Sequence, residues 1–201
     1  MKAPVYFLLI FLAAAIVSII GCKEYFTWFL EAIPALVGVL VLVFTYSRFK
    51  FTNLTYFMIL LHCLVLLVGA HYTYAEVPLF DWIKTTFHQS RNNYDKVGHF
   101  IQGFTPALII RELFVRKNVV NGNKWLAFII ICIALAISAF YELIEWFVSV
   151  NSGESGDAFL GTQGYIWDTQ SDMLTALIGA ITAVLLFSKL QDKFINRAVS
   201  A

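Results

Sequence analysis

Three pairs of ionisable side chains carry the chemical interest of this chain: Asp95 and His99, Glu142 and Glu145, and Asp168 and Asp172. Members of each pair are three or four residues apart, which places both on one face of a helix. Each pair lies at the end of a long apolar run. Ionised groups at membrane depth are costly; they pair with one another, bind an ion or line a substrate path. Two carboxylates on one turn repel unless a cation lies between them or one keeps a proton. Carboxylate oxygens plus an imidazole suit Mg, Mn, Fe, Zn or Ca. The expected ligand set for a divalent metal ion is therefore Asp95, His99, Glu142, Glu145, Asp168 and Asp172. His99, Glu142, Glu145, Asp168 and Asp172 are the expected catalytic groups. Gln102 continues the Asp95–His99 stripe, and Gln102, Gln163 and Gln170 are expected to orient a substrate.

Each pair also has a purely structural reading. Asp95 and Asp168 open apolar segments, where an acid caps free N–H groups and complements the helix dipole. Glu-x-x-Glu is common on solvated helix faces, but here Tyr141 and Trp146 flank it within an apolar run. Trp146 and Phe147 read as interface anchors, which puts the glutamates just inside a membrane boundary. A lone His99 would be a satisfied packing residue; one turn inside a spanning helix it needs a polar partner.

The elements that must position these groups are membrane helices. The chain has 201 residues, of which 60% are hydrophobic and 13% charged. Soluble domains carry about 25% charged residues, so the composition excludes an ordinary soluble fold. A net charge of +1 and the lack of any basic run argue against a nucleic-acid partner. Cys22, Cys63 and Cys132 are scattered, with no Cys-x-x-Cys to signal a disulfide framework or thiolate site. A spanning helix needs about 20 apolar residues. Six such segments are predicted, at 4–22, 25–46, 53–75, 97–115, 124–149 and 169–188. The runs are too long and too uniform for barrel strands. The expectation is an all-α, polytopic protein forming a single integral membrane domain over residues 1–201, with its polar site within 95–179.

Lys and Arg set the orientation. Lys2, Arg48, Lys50, Arg116, Lys117, Lys124, Lys189, Lys193 and Arg197 fall on one side, and Lys23, Lys84, Arg91 and Lys96 on the other. The bias places both termini in the cytoplasm and the three pairs on the outer face. His71 would share that face and could reach the site. The stretch Gly161–Gln170 reads as a lid or re-entrant turn over the acids, or else as an exposed loop. Ile19-Ile20-Gly21-Cys22 also resembles a lipoprotein signal with its lipidated cysteine. Against that, the charged leader is one lysine and another apolar segment follows three residues later.

Arg111 and Glu112 lie 12 or more residues beyond His99, about 18 Å along a helix, and so belong to the opposite side. Arg111 is expected to snorkel and Glu112 to pair with Arg116 at i+4. His62 and His88 read as packing and solvated residues. There is no His-Glu-x-x-His, no Gly-x-Ser-x-Gly elbow and no P-loop.

At Asp95-Lys96-Val97-Gly98-His99-Phe100-Ile101-Gln102-Gly103-Phe104, Arg111-Glu112, Tyr141-Glu142-Leu143-Ile144-Glu145-Trp146 and Gly161-Thr162-Gln163-Gly164-Tyr165-Ile166-Trp167-Asp168-Thr169-Gln170-Ser171-Asp172-Met173, the chain resembles the YjdF family of bacterial inner-membrane proteins. The resemblance implies a multi-pass inner-membrane location and no particular reaction. Tyr165 stands where an acidic residue is expected of that family. The Asp-Lys-x-x-His start and the Asp168-x-x-x-Asp172 pair are also similar to VanZ-like membrane proteins, which implies envelope or lipid-linked chemistry on the outer face. Three functions stay open: metal-dependent chemistry on a lipid or envelope precursor, ion- or proton-coupled transport, and a structural or assembly role. In each the lipid bilayer is the immediate partner.

Overall fold

The computed structural model describes residues 3–152 and 166–200. The helices are α1 (Ala3–Ile19), α2 (Tyr25–Thr45), α3 (Asn53–Tyr72), α4 (Pro78–Thr86), α5 (Tyr94–Lys117), α6 (Asn123–Ser152), α7 (Asp168–Thr182) and α8 (Ser188–Val199). A single π turn, Ala183–Phe187, joins α7 to α8, so the two form one nearly continuous rod. Among the described residues, four stretches are long and apolar enough to cross a membrane: Tyr25–Thr45, Asn53–Tyr72, Asn123–Asn151 and Asp168–Val199. Ala3–Ile19 is apolar but shorter. The predicted segments are thus all helical, with two corrections. The last helix runs to Val199, well past residue 188, because the π turn absorbs the register change without breaking the rod. A further short helix, α4, stands between the third and fourth segments, started by Pro78 at its first turn.

Large apolar side chains on the outside are the rule here. Val17, Phe44, Phe128, Phe140 and Leu185 are each more than half exposed. In water such a surface would aggregate, whereas in a bilayer it meets hydrocarbon. Aromatic residues gather towards both ends of the helices. Trp82, Trp146 and Trp167 lie at one end and Trp125 at the other, all exposed, as interfacial anchors are.

The interior divides in two. Phe11, Trp28, Ala32, Ala35, Ile59, Leu60 and Leu67 form one apolar cluster among α1, α2 and α3. Phe104, Ala107, Leu108, Ile130, Ala134, Ala180 and Ala183 form the other among α5, α6, α7 and the π turn. Helix α3 packs on α5 and joins the halves. Ser18 Oγ donates to the Leu67 carbonyl (2.6 Å) and accepts from Trp28 Nε1 (2.9 Å), which ties the first three helices together. At the head of α2, hydrogen bonding led by the Thr27 side chain holds the Glu24 carboxyl below its ordinary range as it caps that helix.

Helices α5 and α7 approach most closely. A Cβ on Gly103 would overlap the Ala176 carbonyl, and one on Gly179 would overlap the Phe100 carbonyl. Small residues permit backbone contact where apolar burial gives little net attraction between membrane helices. That contact brings the starts of α5 and α7, and hence their acids, side by side.

Candidate functional site

The site lies at the end of the bundle where α5 and α7 begin and α3 and α6 end. Its foundation is local. Asn92, 2% exposed, receives the Tyr94 N–H on its Oδ1 and donates through Nδ2 to the Val77 carbonyl (3.1 Å) and Asp81 (3.0 Å). The Tyr94 hydroxyl donates to the Val65 carbonyl at 2.9 Å. These bonds fix the first turn of α5 against α3 and α4. At the end of α3, Thr73 and Tyr74 both adopt left-handed backbone angles, φ 54° and 51°. Such angles are costly for non-glycine residues. Here they fold Tyr74 back so that its N–H bonds the Gly69 carbonyl (2.8 Å) and its ring lies against Gly69 and Gly98, where any Cβ would clash.

Two cations occupy the mouth. Arg91 donates to Asp168 Oδ1 (2.6 Å) and pairs with Asp95. The Lys96 ammonium reaches Asp172 Oδ1 (2.6 Å), Ser171 Oγ (2.6 Å) and Asp168 Oδ1 (3.0 Å), with Asp95 Oδ2 at 3.6 Å. Below them, His99 Nδ1 lies 3.1 Å from Gln102 Oε1 and 3.7 Å from Glu142 Oε1, while its Nε2 is 3.7 Å from Asp172 Oδ1. Glu142 Oε1 is buried and has no hydrogen-bond partner among the described residues.

Two overlapping triplets result, each with its ligating atoms within 4.8 Å of one another: His99–Glu142–Asp172, and Asp95–Asp168–Asp172. They share Asp172. The structure thus brings together five of the six expected ligands. Glu145 belongs to neither triplet but lines the same cavity. Gln102 lines it as well and bonds His99, whereas Gln170 is exposed on the first turn of α7 and is not among the lining residues. Gln163 and the first half of the expected Gly161–Gln170 cover, residues 161–165, lie outside the described residues. His71 does not reach the cavity: its Nδ1 bonds the Ser18 carbonyl at 2.8 Å, and its place at the end of α3 faces α1.

The cavity, about 190 Å³, lies on the seam between the two halves of the bundle. Its mouth is bounded by Asp95, Asp168 and Asp172. Its other wall reaches from Tyr74 and Glu145, near the ends of α3 and α6, down to Glu31 and Pro34 of α2, His62 and Leu66 of α3, Pro106 of α5, and Ile137 and Tyr141 of α6. His62 is ten residues before the end of α3, about 15 Å in. Sequence reasoning missed Arg91, Lys96 and Glu31. Arg91–Asp95 at i, i+4 was a readable pairing signal, and an acid inside the 25–46 apolar run is the same signal that marked Glu142.

A second polar centre lies near the opposite end. Glu112 is fully buried and accepts from the Thr52 N–H (2.8 Å), Thr52 Oγ1 (2.9 Å), Thr55 Oγ1 (2.6 Å) and Arg116 (2.9 Å). The expected pairing with Arg116 is present. Arg111 does not snorkel: it is buried and donates to Gln191 (3.1 Å) and Asp192 (2.7 Å). Gln191 in turn bonds the Leu108 carbonyl at 2.7 Å. Every charge in this network is matched, which makes it a structural clamp joining α3, α5 and α8.

A bundle of long apolar helices around a polar, acid-lined cavity defines a polytopic integral membrane protein. The family model for a predicted membrane protein, DUF2238, matches residues 3–193, and the chain belongs to that family. It is also 46% identical over 178 residues to the inner membrane protein YjdF of Escherichia coli (strain K12), covering 89% of this chain and 85% of that protein. The chain is a multi-pass protein of the inner membrane. No solved structure matches it. The similarity to VanZ-like proteins is not among what these matches show.

Proposed function

We propose that this protein holds a divalent cation at His99, Glu142 and Asp172 and uses it, from the outer face of the inner membrane, on a lipid or envelope precursor. The reading includes six spanning segments, α1, α2, α3, α5, α6 and the α7–α8 rod, with both termini cytoplasmic. The loop-charge bias supports that orientation.

The observation that carries it is Glu142 Oε1. A buried carboxylate oxygen without a hydrogen bond is costly, and this one lies in a three-residue ligand set beside a cavity. Imidazole and carboxylate oxygens suit a hard or borderline divalent ion. Gln102, bonded to His99, would orient the ring, as outer partners of metal-bound histidines do. Bound there, the ion would polarise a phosphoryl or carbonyl oxygen or activate a water. Glu145 stands on the same wall as a candidate proton carrier. Asp95 and Asp168 have a different part, because Arg91 bridges the two and Lys96 links Asp168 to Asp172. They hold the mouth together and set the position of Asp172.

The apolar packing of the interior argues against through-transport. Phe104, Ala107, Leu108, Ile130, Ala134, Ala180 and Ala183 fill the α5–α7 interior with apolar groups.

Metal content after purification, and titration of chelated protein with Mn or Zn, tests the proposal. The wild type should bind one equivalent. Glu142→Gln and His99→Gln should each weaken binding by about 10–100-fold or more, the effect of losing even an outer partner, with helicity unchanged. A wild type that binds no divalent ion at millimolar concentration removes the metal from this site.

A further inference from the structure

The deep wall of the cavity differs from its mouth. The mouth acids have cations; the deep acids do not. Glu31, only 8% exposed, makes no hydrogen bond or ion pair with any described residue. Glu145 likewise has neither. Both carboxylates and the Tyr74 and Tyr141 side chains line this one cavity. Neither phenol hydroxyl has a hydrogen bond with any described residue.

From this juxtaposition we infer that the deep wall is a binding subsite for a primary ammonium group, with Glu31 and Glu145 as counter-charges and Tyr74 and Tyr141 as aromatic and hydroxyl partners.

Four points of chemistry lead there. Two unpaired acids on one buried wall call for positive charge. Neither joins a three-ligand set of the kind formed at His99, so a bare metal has too few ligands at this depth. Aromatic faces beside carboxylates favour an organic cation. Oxygen acceptors, in place of an all-aromatic cage, favour a primary ammonium with three N–H donors over a quaternary one with none. Pro34 and Pro106, both on this wall, each lack the N–H that would bond the helix carbonyl four residues back, those of Leu30 and Gln102. A volume of about 190 Å³ is below the range of about 300–1,000 Å³ for drug-sized ligands. It suits a small aminoalkyl group, either a free amine or the head of an aminophospholipid. The subsite shares its cavity with the proposed metal centre, and the inference deepens that reading by naming the substrate's recognised group.

The test uses the full-length protein in detergent, stripped of metal with a chelator, so the amine is read without any ion at His99. Thermal unfolding is followed against ethanolamine and against choline. In a second arm the protein is placed in nanodiscs of phosphatidylethanolamine or phosphatidylcholine. Ethanolamine should stabilise saturably at concentrations at least tenfold below choline. Glu31→Gln and Glu145→Gln should each raise its midpoint by about tenfold or more, the scale of one charge-assisted hydrogen bond. Both substitutions keep the shape of the side chain and break no hydrogen bond or ion pair with a described residue, so the unliganded variants should melt no lower than the wild type. If free ethanolamine has no effect but phosphatidylethanolamine stabilises the wild type and not Glu31→Gln, the ligand is the lipid headgroup and the inference stands. If neither source stabilises, or if Glu31→Gln responds like the wild type, it is overturned. Either failure leaves metal binding at His99, Glu142 and Asp172 untouched, and loss of metal binding leaves the amine result untouched.

Discussion

Lys96 decides which of the acids are available. Its ammonium lies among Asp172, Asp168 and Ser171, so with Arg91 it gives each aspartate at the mouth a cation, while Glu145 and Glu31 meet none among the described residues. Lys96→Met would leave three aspartates facing Arg91 alone. Its side chain is 24% exposed, so screening reduces the penalty below that of a fully buried pair. We expect a loss of about 1–3 kcal/mol, read as a lower melting temperature in detergent. Adding Asp172→Asn should restore part of that loss, because the acid nearest the missing ammonium is then neutral. A double variant as unstable as the single would show that Lys96 acts by packing alone.

At the scale of elements, the α5–α7 contact places the site. Gly103 and Gly179 let each backbone meet a carbonyl of the other helix, and the first turns that carry His99 and Asp172 are held together as a result. Gly103→Val should separate the helices and cost more than about 2 kcal/mol, as overpacking of a fitted contact does. It should also abolish metal binding, since the ligands come from both helices. Gly38 provides the control: it lies inside α2 with open space where a Cβ would go. Gly38→Ala should therefore be neutral or stabilising by up to about 1 kcal/mol. Equal effects of the two substitutions on melting would show that close approach is not what Gly103 provides. The same contact explains why the pairs Asp95–His99 and Asp168–Asp172, 73 residues apart in sequence, form a common centre.

For the whole molecule, the proposed orientation puts the polar end outward. Single cysteines at Asn93 and Asn118, before and after α5, should label from opposite sides in a background lacking Cys22, Cys63 and Cys132. Asn93→Cys should react with an impermeant maleimide in intact cells, and Asn118→Cys only after lysis. The reverse pattern would place the cavity on the cytoplasmic side and exclude an external envelope substrate.

Much of this was legible in the chain. Apolar run length, a local property, was enough for the membrane helices. Helical spacing, equally local, put Asp95 with His99, Glu142 with Glu145 and Asp168 with Asp172. Glu31 was legible too, as an acid within an apolar run, but nothing local ties α2 to α6. What tertiary structure alone decided was the division of labour. Spacing says which acids share a face; it does not say which of them meet Arg91 and Lys96 across α5 and α7. It likewise gave no sign that Arg111 would be buried against Gln191 rather than extended to an interface. Pairing between distant segments follows from backbone approach at Gly103 and Gly179, and the register of a helix contact is a property of two surfaces together. The sequence determined a polar centre in a membrane bundle; the packing decided which of its acids meet Arg91 and Lys96 and which do not.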